Sequence, residues 1–198
     1  MDIAQSRRKE NIAEYILYLW QLEDMLRALQ FSPEAIYSQF VAPRELTEEQ
    51  KNVLFMWYMD IVALLREEGK EQSGHLDHTL HLIADLHSLH LQLMRLPIGR
   101  QYREKVEKLE PYLPTLRTTF GKNVSDTELC FRTLYGVMLY RIKGDSSSVI
   151  SDTLEFISPV IATSGRTLVL VSSLKSAVAS VTPAEGPSLG TAPSGTCT

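Results

Sequence analysis

The sequence predicts an all-α protein, a single bundle of six to seven helices, and three observations support this fold class. Residues 12–29 place apolar side chains in almost every direction of a helical wheel, and residues 48–68 do the same. Helices that are apolar on all sides belong inside a bundle, so we expect these two to form the innermost pair. No segment before Thr163 shows the alternation of a strand. A chain of 198 residues is long enough for one sizeable core.

Local capping signals divide the chain into successive helices. Ser32 followed by Pro33 starts a short second helix, because serine is a good N-cap and proline suits the first helical position. Thr47 and Gln50 form a capping box that opens the third helix, and Gly69 ends it. The predicted helices span residues 6–29, 33–41, 48–68, 73–96, 99–109, 126–143 and 148–162, with a short piece ending at residue 120. We expect a kink or interruption at Pro159.

The charge and composition restrict the class of function. The chain carries 24 acidic and 20 basic residues, a net charge of −4, whereas nucleic-acid-binding proteins usually show a strong basic bias. Charged residues interrupt the first apolar run, so neither a signal peptide nor a membrane span is predicted. We expect a cytoplasmic protein that binds neither nucleic acid nor membrane, with Cys130 and Cys197 both reduced.

The composition changes after residue 162. Residues 163–198 carry three charges, and serine, threonine, glycine and proline fill 20 of these 36 positions. The sequence therefore predicts a helical bundle domain at 1–162 and a low-charge tail at 163–198. Two interpretations of this tail stay open. It is either a natural flexible segment or a translation out of frame that replaces the second half of the last helix.

Three polar residues of the fourth predicted helix share one stripe and are the candidate metal ligands: His78, His81 and Asp85. Imidazole and carboxylate are suitable ligands for zinc or iron. Positions 78 and 85 lie about 10 Å apart along a helix axis, so a site would need further ligands from a second helix. The competing interpretation is that these histidines pack or cap within a helix–helix interface.

Two acids fall on apolar faces of the predicted inner helices and are candidate buried carboxylates. Glu23 shares a side with Ile16 and Leu19, and Asp60 lies beside Trp57 and its neighbours. Buried acids must be paired, hydrogen-bonded or protonated. We expect structural pairing with an arginine such as Arg27 or Arg132. A carboxylate metal site is the alternative, although the chain lacks the Glu-x-x-His motif of di-metal bundles.

Motifs for nucleophilic or phosphate chemistry are missing from the sequence. It contains no Gly-x-Ser-x-Gly, no glycine-rich phosphate loop and no Cys-x-x-Cys. Cys130 sits near the start of the sixth predicted helix, where a helix N-terminus can activate a thiol. We interpret it as a packed residue. No catalytic residue and no cofactor are predicted.

Several segments resemble an uncharacterised all-helical bacterial family, a domain of unknown function. The resemblance lies in residues 6–15 (SRRKENIAEY), 18–24 (YLWQLED), 74–76 (GHL), 86–93 and 157–162 (ISPVIA), and it covers about residues 1–162. The last helix of that family continues with charged and aromatic residues, whereas this chain turns to Thr163-Ser164-Gly165. The resemblance implies no activity and carries over no catalytic residue.

Two classes of function follow from these observations. The first is a non-enzymatic helical scaffold or protein-interaction module that self-associates, or binds a helical partner, through an apolar helix face. It is favoured by the excess of apolar helix surface and the missing catalytic motifs. The alternative is a metal-binding enzyme or sensor that uses His78, His81 and Asp85, with Glu23 or Asp60.

Overall fold

The computed structural model describes residues 8–121, 123–142 and 148–179, and these residues form helices, turns and loops without a strand. This confirms the predicted all-α fold class. The helices are α1 (Ile12–Ala28), α2 (Pro33–Ile36, continued by a π turn at Tyr37–Val41), α3 (Glu48–Glu67), α4 (Asp77–Arg95), α5 (Arg100–Leu109), α6 (Leu113–Phe120), α7 (Asp126–Ile142) and α8 (Ser148–Ala179). Short 3-10 turns at Pro97–Gly99 and Glu110–Tyr112 lead into α5 and α6.

The predicted capping signals act as expected. The Ser32 side chain accepts a hydrogen bond from the Ala35 amide at 3.2 Å. Both halves of the capping box at α3 form, because Thr47 Oγ1 accepts from the Gln50 amide and Gln50 Oε1 accepts from the Thr47 amide. Gly69 follows α3 with φ 65°, a left-handed conformation that glycine adopts without strain. The ends of these helices are therefore set by residues no more than four positions apart in the sequence.

Helix α1 lies at the centre of the molecule and contributes to two apolar clusters. Ile12, Ala13, Ile16 and Trp20 pack with residues of α4, α5, α7 and α8. On the other side, Leu19, Leu22 and Leu26 pack with α2, α3 and Leu76. This arrangement explains why the sequence of α1 is apolar almost all the way round: a different set of helices covers each side.

Helix α3 is not part of an innermost pair, which corrects the prediction. One face is buried and holds Leu54, Tyr58, Ile61, Val62 and Leu65. The opposite face is open, with Val53 52% exposed, Met56 58% exposed and Leu64 40% exposed. The physical reason is that α1 and α2 pack on one side of α3, while α8 takes the place beside α1 that the sequence analysis gave to α3.

Helix α8 continues without a break through Pro159 and past residue 162, so the chain is not interrupted at this proline. The kink at Pro159 and the domain boundary after residue 162 stay predictions. Ile157, Val160, Ile161 and Ser164 are all buried in the bundle. Small residues at this point let α8 approach the start of α1 closely. The interpretations of the tail stay predictions, and residues 180–198, including Cys197, lie outside the described residues.

Part of α8 also has the length and composition of a membrane span. The segment Leu154–Val171 has a mean hydropathy of 1.4 over 18 residues, and 28% of it is buried in the bundle. A core helix of a water-soluble protein passes the same test. The expected absence of a membrane span and the expected cytoplasmic location therefore stay predictions.

The contact between α8 and α1 yields a first prediction. A Cβ atom added at Gly165 would lie 2.0 Å from Asn11 Oδ1 and 2.9 Å from Ala13 Cβ. We expect Gly165→Ala to lower the free energy of unfolding by about 1–2 kcal/mol, because overpacking outweighs the roughly 1 kcal/mol gain in helix propensity. Urea denaturation measures the change. The exposed Ser158→Ala on the same helix is the control, and a stabilised Gly165→Ala would contradict the close approach.

Candidate functional site

A buried carboxylate on α1 organises the most polar part of the interior. Glu23 is 0% exposed. Its Oε2 accepts a hydrogen bond from His75 Nδ1 at 2.8 Å, and its Oε1 accepts one from the Leu76 amide at 3.4 Å. Arg27 Nη2 lies 3.8 Å from the same carboxylate. The structure therefore places Glu23 in the core, beside one of the two arginines named in the sequence analysis.

Arg27 ties the loop between α3 and α4 to α1. Its Nε donates to the carbonyl oxygen of Lys70 at 3.0 Å, and its Nη2 donates to the carbonyl oxygen of Gly74. Its Nη1 lies 2.6 Å from Asp24 Oδ1. Together, Glu23 and Arg27 bind the backbone of this loop at three points, so the loop is held in one position against α1.

The His75 ring stacks on the indole of Trp20. The ring centroids are 3.9 Å apart and the planes differ by 7°. Trp20 is buried, and its Nε1 donates to Thr79 Oγ1 at 3.0 Å. Tyr135 from α7 meets both rings edge-on. Because Glu23 bonds one edge of the imidazole and Trp20 covers one face, the orientation of His75 is fixed.

The Tyr135 hydroxyl closes the cluster on the side of α7. It lies 3.0 Å from the carbonyl oxygen of Trp20 and also donates to the carboxylate of Asp24. Burial and the neighbouring Asp24 raise the pKa of Tyr135 well above its ordinary value. The phenol is therefore a hydrogen-bond donor at neutral pH rather than a base.

A groove of about 530 Å³ opens over this cluster. Its lining includes Trp20, Lys70, Gly74, His75, Leu80, Thr119, Glu128, Arg132, Tyr135 and Gly136. Because Nδ1 bonds Glu23, Nε2 is the ring nitrogen of His75 that is left to bond a molecule in the groove. In the neutral ring, Nε2 is a hydrogen-bond acceptor.

The predicted metal ligands do not converge. His78, His81 and Asp85 are all exposed on α4. Over the described parts of the chain, no group of three or more His, Cys, Asp or Glu side chains is arranged to hold a metal ion. A single stripe on a surface helix supplies no ligands from a second helix, and the described helices complete no such set with it.

Asp60 is exposed, which corrects its assignment as a buried acid. The helical wheel places it beside Val53, Trp57 and Leu64, and that part of the prediction holds. The error lies in the direction of the face, because this side of α3 points to solvent. Arg132, the other arginine named as a partner for a buried acid, pairs with Glu128 at 2.7 Å.

A second polar cluster lies on α4 beside a cavity of about 100 Å³. The His87 and His90 rings stack with centroids 5.7 Å apart. His90 Nδ1 bonds the Tyr102 hydroxyl at 2.9 Å, and His87 Nδ1 bonds Thr127 Oγ1 at 3.2 Å. Burial raises the pKa of the Cys130 thiol to about 12, so this cysteine is an inert packed residue.

His75 is a site residue that the helical pattern does not indicate. The stripe of His78, His81 and Asp85 lies within α4, whereas His75 precedes α4 and is positioned by Glu23, 52 residues earlier. The available signal was indirect. Glu23 was singled out as a buried acid, and the segment Gly74-His75-Leu76 was one of those that carry the family resemblance.

Residues 1–167 match the family described as Domain of unknown function (DUF4924), and the chain belongs to this family. This confirms the resemblance to an uncharacterised family, and the matched region extends past residue 162. No curated protein and no solved structure matches the chain. The family description assigns no activity, and a bacterial source stays a prediction.

The burial of Glu23 yields a second prediction. We expect Glu23→Ala to lower the free energy of unfolding by about 3 kcal/mol, because it leaves His75 Nδ1 and the Leu76 amide without their buried acceptor. Glu23→Gln keeps one oxygen acceptor and should cost about 1 kcal/mol. Urea denaturation with far-UV circular dichroism measures both changes.

Asp60→Ala is the matched control for Glu23→Ala, because both replace an acid within an apolar pattern. Asp60 is exposed, and its removal should change stability by less than about 0.5 kcal/mol. Equal losses for the two variants would show that burial does not distinguish these carboxylates.

His90 yields a third prediction. Burial is the main cause that lowers its pKa from 6.5; His87 adds to the effect, and Asp126 opposes it. Because protonation is then harder in the folded state, stability falls as pH drops through the ordinary histidine range. We expect His90→Gln to reduce the loss of stability between about pH 7.5 and pH 5.5, measured by urea midpoints. An unchanged pH dependence would contradict this contribution.

Proposed function

We propose that this member of the DUF4924 family is a non-enzymatic interaction module that self-associates through the outer face of α3. The observation that carries the proposal is the apolar stripe on this face, which we call the α3 stripe: Val53, Met56, Trp57 and Leu64. Val53, Met56 and Leu64 are between 40% and 58% exposed, and Trp57 is half-buried. Grouped exposed apolar side chains commonly mark a contact surface.

The spacing of the stripe favours a second copy of the chain as the occupant. In an antiparallel pair centred between Tyr58 and Met59, residues whose numbers sum to 117 face each other. Val53 then meets Leu64 of the second copy, and Trp57 meets Asp60. A two-fold contact of this kind uses one patch twice, so each of these pairs forms two times.

This register also gives the acid within the stripe a partner. Asp60 interrupts the apolar face, and in the proposed pair it lies opposite the indole of Trp57, whose N–H is a hydrogen-bond donor. The two Asp60 carboxylates are displaced from one another by about 4.5 Å along the axis instead of facing each other. The pattern is therefore self-complementary in polarity as well as in apolar contact.

The size of the stripe predicts a reversible dimer. Helix α3 has 20 residues and is about 30 Å long. A standard stable interface buries roughly 800 Å² per partner, which is more than one helix face supplies. We expect a dissociation constant of about 10–300 µM for the dimer, which is weak for a specific interface.

Leu64→Asp tests the proposal. The wild-type chain of 22.4 kDa should approach twice that mass by light scattering as its concentration rises. Leu64→Asp should stay at the monomer mass, because it puts a carboxylate opposite Val53. The control is Leu91→Asp on α4, since Leu91 is 44% exposed and Leu64 is 40% exposed. A monomeric wild-type chain over the whole concentration range would overturn the proposal.

Disulfide cross-linking tests the register. A chain with both Val53→Cys and Leu64→Cys, in a Cys197→Ser background, should form a covalent dimer on mild oxidation. Each single variant should not, because equivalent residues 53 or 64 of the two copies lie about 16 Å apart along the axis, too far for a disulfide. Cross-linking of either single variant alone would indicate a different pairing.

A further inference from the structure

We infer that the groove over His75 is a binding site for a small hydroxylated organic anion. This inference is independent of the proposed self-association, which uses the outer face of α3. It depends on three features of the groove: an oriented imidazole in its wall, two cationic side chains in its lining, and a volume of about 530 Å³.

The imidazole is held in one orientation, with one ring nitrogen left to bond a ligand. Glu23 is fully buried and bonds His75 Nδ1 at 2.8 Å, which places the proton of the neutral ring on Nδ1. The stack on Trp20, with planes within 7°, fixes the ring plane. A carboxylate behind a histidine selects the tautomer and orientation in this way. The 21% exposure of the side chain leaves the ring accessible from the groove.

The loop before α4 is held against α1 without any contribution from the His75 ring. Arg27 holds the Lys70 and Gly74 carbonyl oxygens, and Glu23 binds the Leu76 amide directly. A side chain without a second ring nitrogen would satisfy Glu23 equally well. Besides its stack on Trp20 and its contact with Tyr135, the imidazole contributes a second ring nitrogen at the edge of an open volume large enough for a small molecule.

The charges in the lining favour an anion. Lys70 contributes from the loop before α4, and Arg132 contributes from α7, while Glu128 is the one carboxylate among the described residues that line the groove. Lys70 pairs with Asp77 at 3.2 Å, with the side chains 26% and 56% exposed, and Arg132 pairs with Glu128 at 2.7 Å, with the side chains 46% and 24% exposed. Exposed ion pairs are weak, so a bound anion can compete for these cations.

The two requirements together define the ligand class. A hydroxyl group, which can donate or accept, forms a hydrogen bond with Nε2 of His75, and a carboxylate or phosphate on the same molecule approaches Lys70 and Arg132. Glucose 6-phosphate and gluconate represent the two sources of negative charge. Glucose has the hydroxyls without the charge, and inorganic phosphate has the charge without the carbon skeleton.

Isothermal titration calorimetry with these four probes tests the inference. Glucose 6-phosphate or gluconate should bind about tenfold more tightly than both glucose and inorganic phosphate, which is the contribution of one hydrogen bond or one partly exposed ion pair. The better of the two anions identifies the charged group. If neither anion shows saturable binding below about 20 mM, or if glucose or phosphate alone binds equally well, the inference is wrong.

His75→Asn separates binding from folding. Its side-chain amide can still donate to Glu23, but the second ring nitrogen is gone, so both anions should bind about tenfold more weakly. Lys70→Met should weaken binding of the anions and leave glucose unchanged. Leu64→Asp, on the α3 stripe, should bind all probes like the wild type. Unchanged affinity in His75→Asn would overturn the role of His75.

A measurement on the wild-type chain covers the case in which His75→Asn fails to fold. In ¹⁵N spectra of the imidazole rings, a saturating anion should shift Nε2 of His75 more than the ring nitrogens of the other four histidines. Sodium chloride at the same ionic strength should not produce this shift. A spectrum in which His75 stays unchanged at saturation would exclude it from the binding site.

Discussion

The hydrogen bonding of Glu23 is the constraint on which the polar interior of this protein depends. A carboxylate with no exposed surface must be compensated by donors, and two of its partners come from one short segment, His75 and Leu76. Arg27, one helical turn further along α1, binds the Lys70 and Gly74 carbonyl oxygens. The start of α4 is thus positioned against α1 by directional bonds, whereas apolar packing alone leaves the rotation and register of neighbouring helices loosely defined.

The central position of α1 explains why this helix is apolar on almost every side and also contains a buried acid. Its residues pack into one cluster with α4, α5, α7 and α8 and into another with α2 and α3. Glu23 bonds the loop that joins these two groups of helices. A groove lies between this loop and α7.

Capping residues and apolar periodicity act within a few residues, so they predict where helices begin and end. The packing of whole helices against one another was not predictable from them. The capping box at Thr47 and Gln50 acts within one turn, and its outcome is therefore readable from the sequence. Glu23 and Asp60 show the same pattern of an acid among apolar residues, yet one is buried and the other exposed. The difference comes from the helices that cover each face, and that information lies in contacts between distant segments. His75 was missed for the same reason, because its position depends on a partner 52 residues away.

The change of composition after residue 162 begins where α8 contacts the start of α1. Ser164 is buried, and Gly165 lies where a Cβ atom would overlap Asn11. Close contact between two helices requires small residues on the contact face, and a helix that touches several neighbours has few positions for charges. Low charge with small side chains is therefore compatible with burial against α1 as well as with disorder. Sequence composition does not distinguish these cases, but the contact between α8 and the start of α1 does, and it assigns residues 163–165 to the bundle.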